Sequence, residues 1–418
     1  MTHWSVADND AFGLDLTAAA DSVGGVTAAG NFTEDYRAFC SALCICPHPK
    51  IVAPFVPASK LTFPWLEESK AGEEKKGDAA AADPAVEDAS SIKVKQMAVD
   101  IGSMRALTLA LPTTETITTL RFYDAGLSAE AIQLLADVLP KTVVGNLAVD
   151  YNVIKGSSAL FALFLKVEGK LSNVSLRGNA IDSVAGMAVA KALSANTSIG
   201  ALNLFDNRLG NVGTSDVAKA LRFNMSLKQL SLSRNNVRSL IHALIYGKIS
   251  FLLSPVVSRV VCSRSRNNQI GAAGATALAK LFTRAPRSEE LDNARENAVT
   301  AIASRNAAIE EFNVEMKAKK MPGLELITTQ PKEMIELEEG AGFVYPGNGV
   351  LELLNLSSNP GLDGLCVLEI ADALAQAAGV GESALKALAV QMTAALRDAD
   401  TAAQLREKLS AAACLLET

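Results

Sequence analysis

Four residues near the start of the chain are of types that hold a metal ion. Cys40, Cys44, Cys46 and His48 read C-x3-C-x-C-x-H, and thiolates and imidazoles are zinc ligands. The spacing is not that of a finger or knuckle, and no second ligand pair lies downstream. The reading is therefore no metal site, with Cys40 and Cys44 on one helical face packed under an N-terminal cover. Only three histidines, His3, His48 and His242, are present for acid–base work. No G-x-x-x-x-G-K-[ST] loop and no G-x-G-x-x-G after a strand occurs. The sequence thus predicts no catalytic residue, no cofactor and no enzymatic activity.

A second set of residues recurs at a constant distance. The pairs Tyr123-Asp124, Asp150-Tyr151, Arg177-Gly178, Phe205-Asp206 and Ser233-Arg234 occupy the same two positions of a repeated frame. Tyrosine and arginine dominate protein-binding hot spots. Tyr123, Asp124, Asp150, Tyr151, Arg177, Phe205, Asp206 and Arg234 are accordingly the candidate partner-binding residues.

The elements that must position them follow from the frame, L-x-x-L-x-L-x-x-N-x-L. Copies start at Ile117, Val144, Leu171, Ile199 and Leu227, in steps of 27, 27, 28 and 28 residues. Such a frame at such a period is the signature of leucine-rich repeats. Positions 4 and 6 put the inner face of a short strand into the core. This predicts parallel strands at 120–122, 147–149, 174–176, 202–204 and 230–232. The asparagine at position 9 sits where the chain leaves the strand, and its amide can serve backbone groups that no ladder satisfies. Asn152, Asn179, Asn207, Asn235 and, in a later copy, Asn359 take this structural role, whereas Ala125 marks the first copy as an edge repeat. Helical stretches follow each strand at 128–139, 156–167, 183–193 and 213–221.

Long αβ repeats of this kind resemble the ribonuclease-inhibitor class of leucine-rich repeat. The resemblance implies an α/β solenoid with 27–28-residue repeats, a parallel concave sheet and a helical convex face. The expected organisation is an N-terminal cover at 1–69, a disordered linker at 70–92 and repeats at 93–283 interrupted by an insertion at 237–269. A long charged helix with an acidic loop follows at 284–349, then a resumed repeat at 350–378 and a C-terminal helical cap at 379–418. Met97, Val99, Ile101, Leu107, Leu109 and Leu111 are spaced as edge strands ahead of the first frame. Segment 237–269 reads as an inserted stretch, an in-frame intron carried into the protein, or an irregular sixth repeat. Skipping it runs Asn235-Asn236 into Ile270-Gly271 and restores the frame.

A repeat array split by a charged helix (Arg284 to Lys320), then resumed through Tyr345 to Pro360, is similar to the interrupted leucine-rich repeat proteins of ciliary and flagellar axonemes. That resemblance implies a non-enzymatic scaffold bound to axonemal microtubule-associated proteins. The alternative is a GTPase-activating protein of the Ran type, which shares the repeat class. A net charge of −6 offers no basic field for nucleic acid or anionic lipid. Met1-Thr2-His3-Trp4 opens without a charged and apolar leader, so a cytoplasmic protein, axonemal if the resemblance holds, is expected. The six cysteines are then expected as free thiols, and the sequons at Asn31, Asn173, Asn196, Asn224 and Asn355 as chance matches. The helix from Arg284 to Lys320 is expected to project as a charged docking arm that competes with the strand face for partners.

Overall fold

A computed structural model of the chain describes residues 23–52, 90–154, 158–167, 170–234, 270–318, 324–337, 342–359, 361–391 and 393–417. The chain is α/β, with nine strands in parallel sheet and helices between them, compatible with an α/β solenoid. It divides into two compact units, 1–147 and 148–418.

The first unit holds α1 (Phe32–Ala42), the short α2 (Pro49–Val52), β1 (Ser91–Lys95), α3 (Ile101–Ala110), β2 (Thr119–Tyr123) and α4 (Ala129–Val138). The next strand, β3 (Asn146–Asp150), straddles the division. β1 and β2 pair in parallel with Ile92 opposite Leu120 and Val94 opposite Phe122, so β1 is one more copy of the frame. This corrects the edge-strand reading of 97–111. Only Ser91–Lys95 is strand, and Leu107, Leu109 and Leu111 lie on or just past α3. Asp100 decides it locally, because its carboxylate accepts the Ser103 N–H at 2.9 Å and caps the helix. Strand β1 also begins inside the stretch expected as linker, and 53–89 lies outside the described residues.

The second unit continues with a 3₁₀ segment (Ser158–Lys166), where a helix is expected, then β4 (Asn173–Ser175), α5 (Ser183–Ala195), β5 (Ala201–Asn203), α6 (Gly210–Leu221) and β6 (Gln229–Ser231). α7 (Ala272–Phe282), β7 (Ala285–Pro286), α8 (Glu289–Ala318), β8 (Ile335–Glu336) and β9 (Phe343–Tyr345) follow. β10 (Leu353–Asn355), α9 (Gly364–Gly379), β11 (Ala387–Ala389), α10 (Ala399–Ala411) and β12 (Leu415–Glu417) close it. Its parallel strands run in the order β4-β5-β6-β10-β11-β12. Leu202, Leu230, Leu354, Leu388 and Leu416 stand in one register row. β7, β9 and β8 form a separate antiparallel sheet. Helix starts carry their own caps, Asp182 on the Ala185 N–H, Asp363 on Cys366 and Asp398 on Thr401. α5 and α6 approach so closely that a Cβ on Gly186 would stand 3.1 Å from the Gly213 Cα, which is why small residues line these helices.

The helical cap expected at 379–418 is instead strand, helix, strand. Leu385, Leu388 and Val390 repeat positions 1, 4 and 6 of the frame, and Thr393 stands in the asparagine position, its hydroxyl donating to the Val390 carbonyl at 2.8 Å. Leu385, Leu388, Met392 and Leu396 also fit helical spacing, and pairing with β10 decides between the two.

α8 does not simply project. Ala298, Ile302 and Ile309 on one face are buried, and Ala298 packs with Phe223 and Tyr345. Asn306 and Asn313 each grip one residue of the returning extended segment. Asn306 accepts the Ile327 N–H at 2.7 Å and donates to the Ile327 carbonyl at 2.9 Å. Asn313 does the same to Leu324, at 2.6 and 2.8 Å. Seven helical residues rise about 10 Å, close to the span of three extended residues, so the two grips fall in step.

The described asparagines of position 9 bond to backbone groups at the strand ends. Asn179 accepts the Asn152 N–H at 2.7 Å and donates to the Val149 carbonyl at 2.6 Å. Asn359 donates to Leu232 and Leu356 carbonyls at 3.1 and 2.8 Å, and Asn235 lies outside the described residues. A second column, unread in the sequence, stands three residues before the frame. Asn196, Asn224 and Asn348 are buried, and each donates its amide to the end of the helical segment one repeat earlier, at Leu165, Leu193 and Leu221. Each also accepts two N–H groups at the next strand entry. The sequons at Asn196 and Asn224 are this column, and both amides are closed to a glycan.

α7 packs between α6 and α9. Ile270 is fully buried, two residues before α7, as Ile181 is before α5. Ile270 thus fills frame position 11, as it would directly after Asn236 were 237–269 skipped. Segment 237–269 lies outside the described residues. Its deletion, joining Asn236 to Ile270, is expected to leave the unfolding midpoint unchanged or higher. Loss of cooperative unfolding in the deletion protein would show that the segment belongs to the core.

Candidate functional site

The site is built at the strand ends. Position 8 has a left-handed backbone in seven copies of the frame, with φ between 49° and 70° at Gln96, Asp124, Tyr151, Gly178, Asp206, Arg234 and Ser358. In the second unit the ladder continues through this kink. The N–H of Tyr151 donates to Arg177, of Gly178 to Phe205, of Asp206 to Ser233, of Arg234 to Ser357 and of Ser358 to Gln391. The left-handed turn swings the position-8 side chain across the neighbouring repeat instead of alternating it across the sheet.

Tyr151 shows the result. Its ring lies over Gly178, where a Cβ would meet ring carbons at 2.4 Å, so only glycine leaves room and only glycine adopts φ +70° without strain. The Tyr151 hydroxyl then donates to Asp206 Oδ2 at 3.3 Å and accepts Arg177 Nε at 3.0 Å. The Arg177 guanidinium stands 4.5 Å from the Phe205 ring centre and 5.3 Å from that of Tyr151. Cation–π contacts of this kind hold the planar group in orientation. Asp206 is 1 % exposed and faces Arg234 Nε at 3.5 Å. Asp150 Oδ1 accepts the Ser175 hydroxyl at 2.7 Å and the Arg177 N–H at 3.0 Å.

Six of the eight candidate residues, Asp150, Tyr151, Arg177, Phe205, Asp206 and Arg234, are therefore one connected cluster in the second unit. Asp206 supports it from below and presents little surface. Tyr123 and Asp124 belong to the first unit, where Lys95 stands 5.7 Å over the Tyr123 ring and Asp124 is exposed. A polar row at position 5 was missed. Asn203 donates to Ser175 Oγ at 3.3 Å and accepts the Phe205 N–H at 3.0 Å, so it braces the backbone that carries Phe205. Small polar residues recurring at position 5 (Ser175, Asn203, Ser231, Asn355) are the signal for it.

The C-x3-C-x-C-x-H group is dispersed. Cys40 is buried in α1, and burial pushes its thiol up to about 12. Cys44 and Cys46 lie past the helix end and are exposed, so Cys40 and Cys44 do not share a buried face. His48 Nε2 contacts the Ala98 carbonyl at 3.1 Å, and burial holds the imidazole below its usual range. Among the described residues no group of His, Cys, Asp and Glu is arranged to hold a metal ion, and no helix is long and apolar enough to cross a membrane. Comparison with protein-family models and with curated proteins finds no match to this chain.

Proposed function

We propose that the chain is a leucine-rich repeat solenoid acting as a non-enzymatic protein–protein interaction scaffold, in a ciliary or flagellar axoneme or another cytoskeletal assembly. The observation that supports this reading is the Tyr151–Arg177–Phe205 stack, a preorganised aromatic–arginine cluster on the sheet side of the second unit. Binding there orders few side chains, which is what makes such clusters hot spots. A GTPase-activating role needs an arginine that reaches a nucleotide. Arg177 is tied to Tyr151 and Arg234 pairs with Asp206, and no feature of the cluster favours that role.

A photo-crosslinking residue at Ser231, beside the cluster, is compared with one at Lys191 on the exposed surface of α5. In extracts of ciliated cells, Ser231 is expected to give a discrete adduct and Lys191 none. Adducts equal at both positions, or adducts unchanged in extracts of cells without cilia, would sink the axonemal scaffold. Stimulated hydrolysis of GTP to GDP and phosphate by a Ran-type GTPase would replace it with the activating role.

A further inference from the structure

We propose that Arg177 is the anchor for a single carboxylate, flanked by apolar residues, on a segment of the protein partner. The inference rests on the protein-binding reading above and deepens it.

The guanidinium is held on three sides. Phe205 and Tyr151 stack against it, and its Nε donates to the Tyr151 hydroxyl. That hydroxyl is itself fixed by Asp206, which is buried and faces Arg234. What remains is the edge carrying the two terminal nitrogens, and it makes no hydrogen bond among the described residues. Arg177 is partly exposed. Two parallel N–H donors on a rigid plane match a carboxylate bidentately, a fit that a lysine ammonium does not reproduce. The ordering of the arginine has already been met by the fold, so the new hydrogen bonds lose little to entropy.

Charge selects the kind of partner. The chain carries −6, and Asp150 and Asp206 offset Arg177 and Arg234 within the cluster. A polyanion such as nucleic acid finds no basic field here. A single carboxylate flanked by apolar residues fits the rings on either side of the cation.

The test uses the full chain and a short fluorescein-labelled peptide that carries one Glu among Leu and Tyr. Its Gln-for-Glu counterpart and a short thymidine strand serve as comparisons, all read by fluorescence anisotropy. The Glu peptide is expected to bind at least about tenfold more tightly than the Gln peptide, the scale of one charge-assisted bidentate pair. Arg177→Lys keeps the charge and removes the fork, and is expected to erase that preference with the melting temperature unchanged. Lys228→Ala, an exposed lysine paired with Glu352, is expected to leave it intact. Equal affinity for the two peptides, no saturable binding of the Glu peptide, full affinity in Arg177→Lys, or tighter binding of the thymidine strand would each overturn the anchor. If the Ser231 adduct forms and persists in Arg177→Lys, the face binds protein but not through this carboxylate. If no Ser231 adduct forms, the protein-binding reading itself has failed.

Discussion

Asn207→Ala is expected to lower the unfolding free energy by about 2–4 kcal/mol, because it strands several buried backbone groups at once. Asn207 is fully buried. Its Oδ1 accepts the N–H groups of Asn179 and Ile181, both at 3.1 Å, and its Nδ2 donates to the carbonyls of Leu176 and Leu204 at 2.9 and 3.0 Å. The side chain thus joins two neighbouring repeats where the strands end and the ladder stops. Alanine makes none of these bonds, and buried backbone groups left unpaired are costly. Equilibrium urea unfolding at constant slope is the measurement. A change below about 0.5 kcal/mol, the range of ordinary surface substitutions, would mean that the column is solvated.

Arg222→Leu is expected to cost about 2–3 kcal/mol, the worth of charge-assisted bonds to carbonyls left unpaired. Its guanidinium donates to the Thr283 and Pro346 carbonyls, both at 3.1 Å, and to that of Lys280. Burial pulls its pKa below the usual arginine range, and the side chain remains a cation at neutral pH. A cation is what the C-terminus of α7 calls for, since the helix dipole and its last carbonyls both favour positive charge. The same group ties the return at Pro346 to that helix end. The substitution should therefore loosen the sheet of β7, β8 and β9 before the rest unfolds, seen as faster hydrogen exchange at 343–345. Arg222→Lys should recover only part of the loss, as one ammonium cannot reach three carbonyls. Exchange unchanged in Arg222→Leu would show that the return is held by its other contacts, among them Asn348 on the Leu221 carbonyl and the Phe223–Tyr345 pair, whose ring centres stand 5.2 Å apart at near right angles.

Much of the fold was written locally. Alternation at positions 4 and 6, a period of 27 or 28, and asparagine at position 9 are short-range facts, and the strands at 119–123, 146–150, 173–175, 201–203 and 229–231 follow them. The same letters misled where two periods coincide. Leu385, Leu388 and Leu396 suit a helix as well as a strand, and only a free edge on β10 makes Ala387–Ala389 a strand. Asn196 and Asn224 look like acceptor sequons, and burial against the helical segment one repeat earlier makes them backbone ligands.

The candidate site divides in the same way. The sequence determined which residues stand at positions 7 and 8, and so named Tyr151, Arg177, Phe205 and Arg234. Tertiary structure decided that they touch. Tyr151 and Arg177 are 26 residues apart and Tyr151 and Asp206 are 55 apart. Strand pairing brings them within side-chain reach, because neighbouring strands lie only about 5 Å apart. The left-handed turn at position 8 then lays the tyrosine across Gly178, and no local pattern of types encodes that direction.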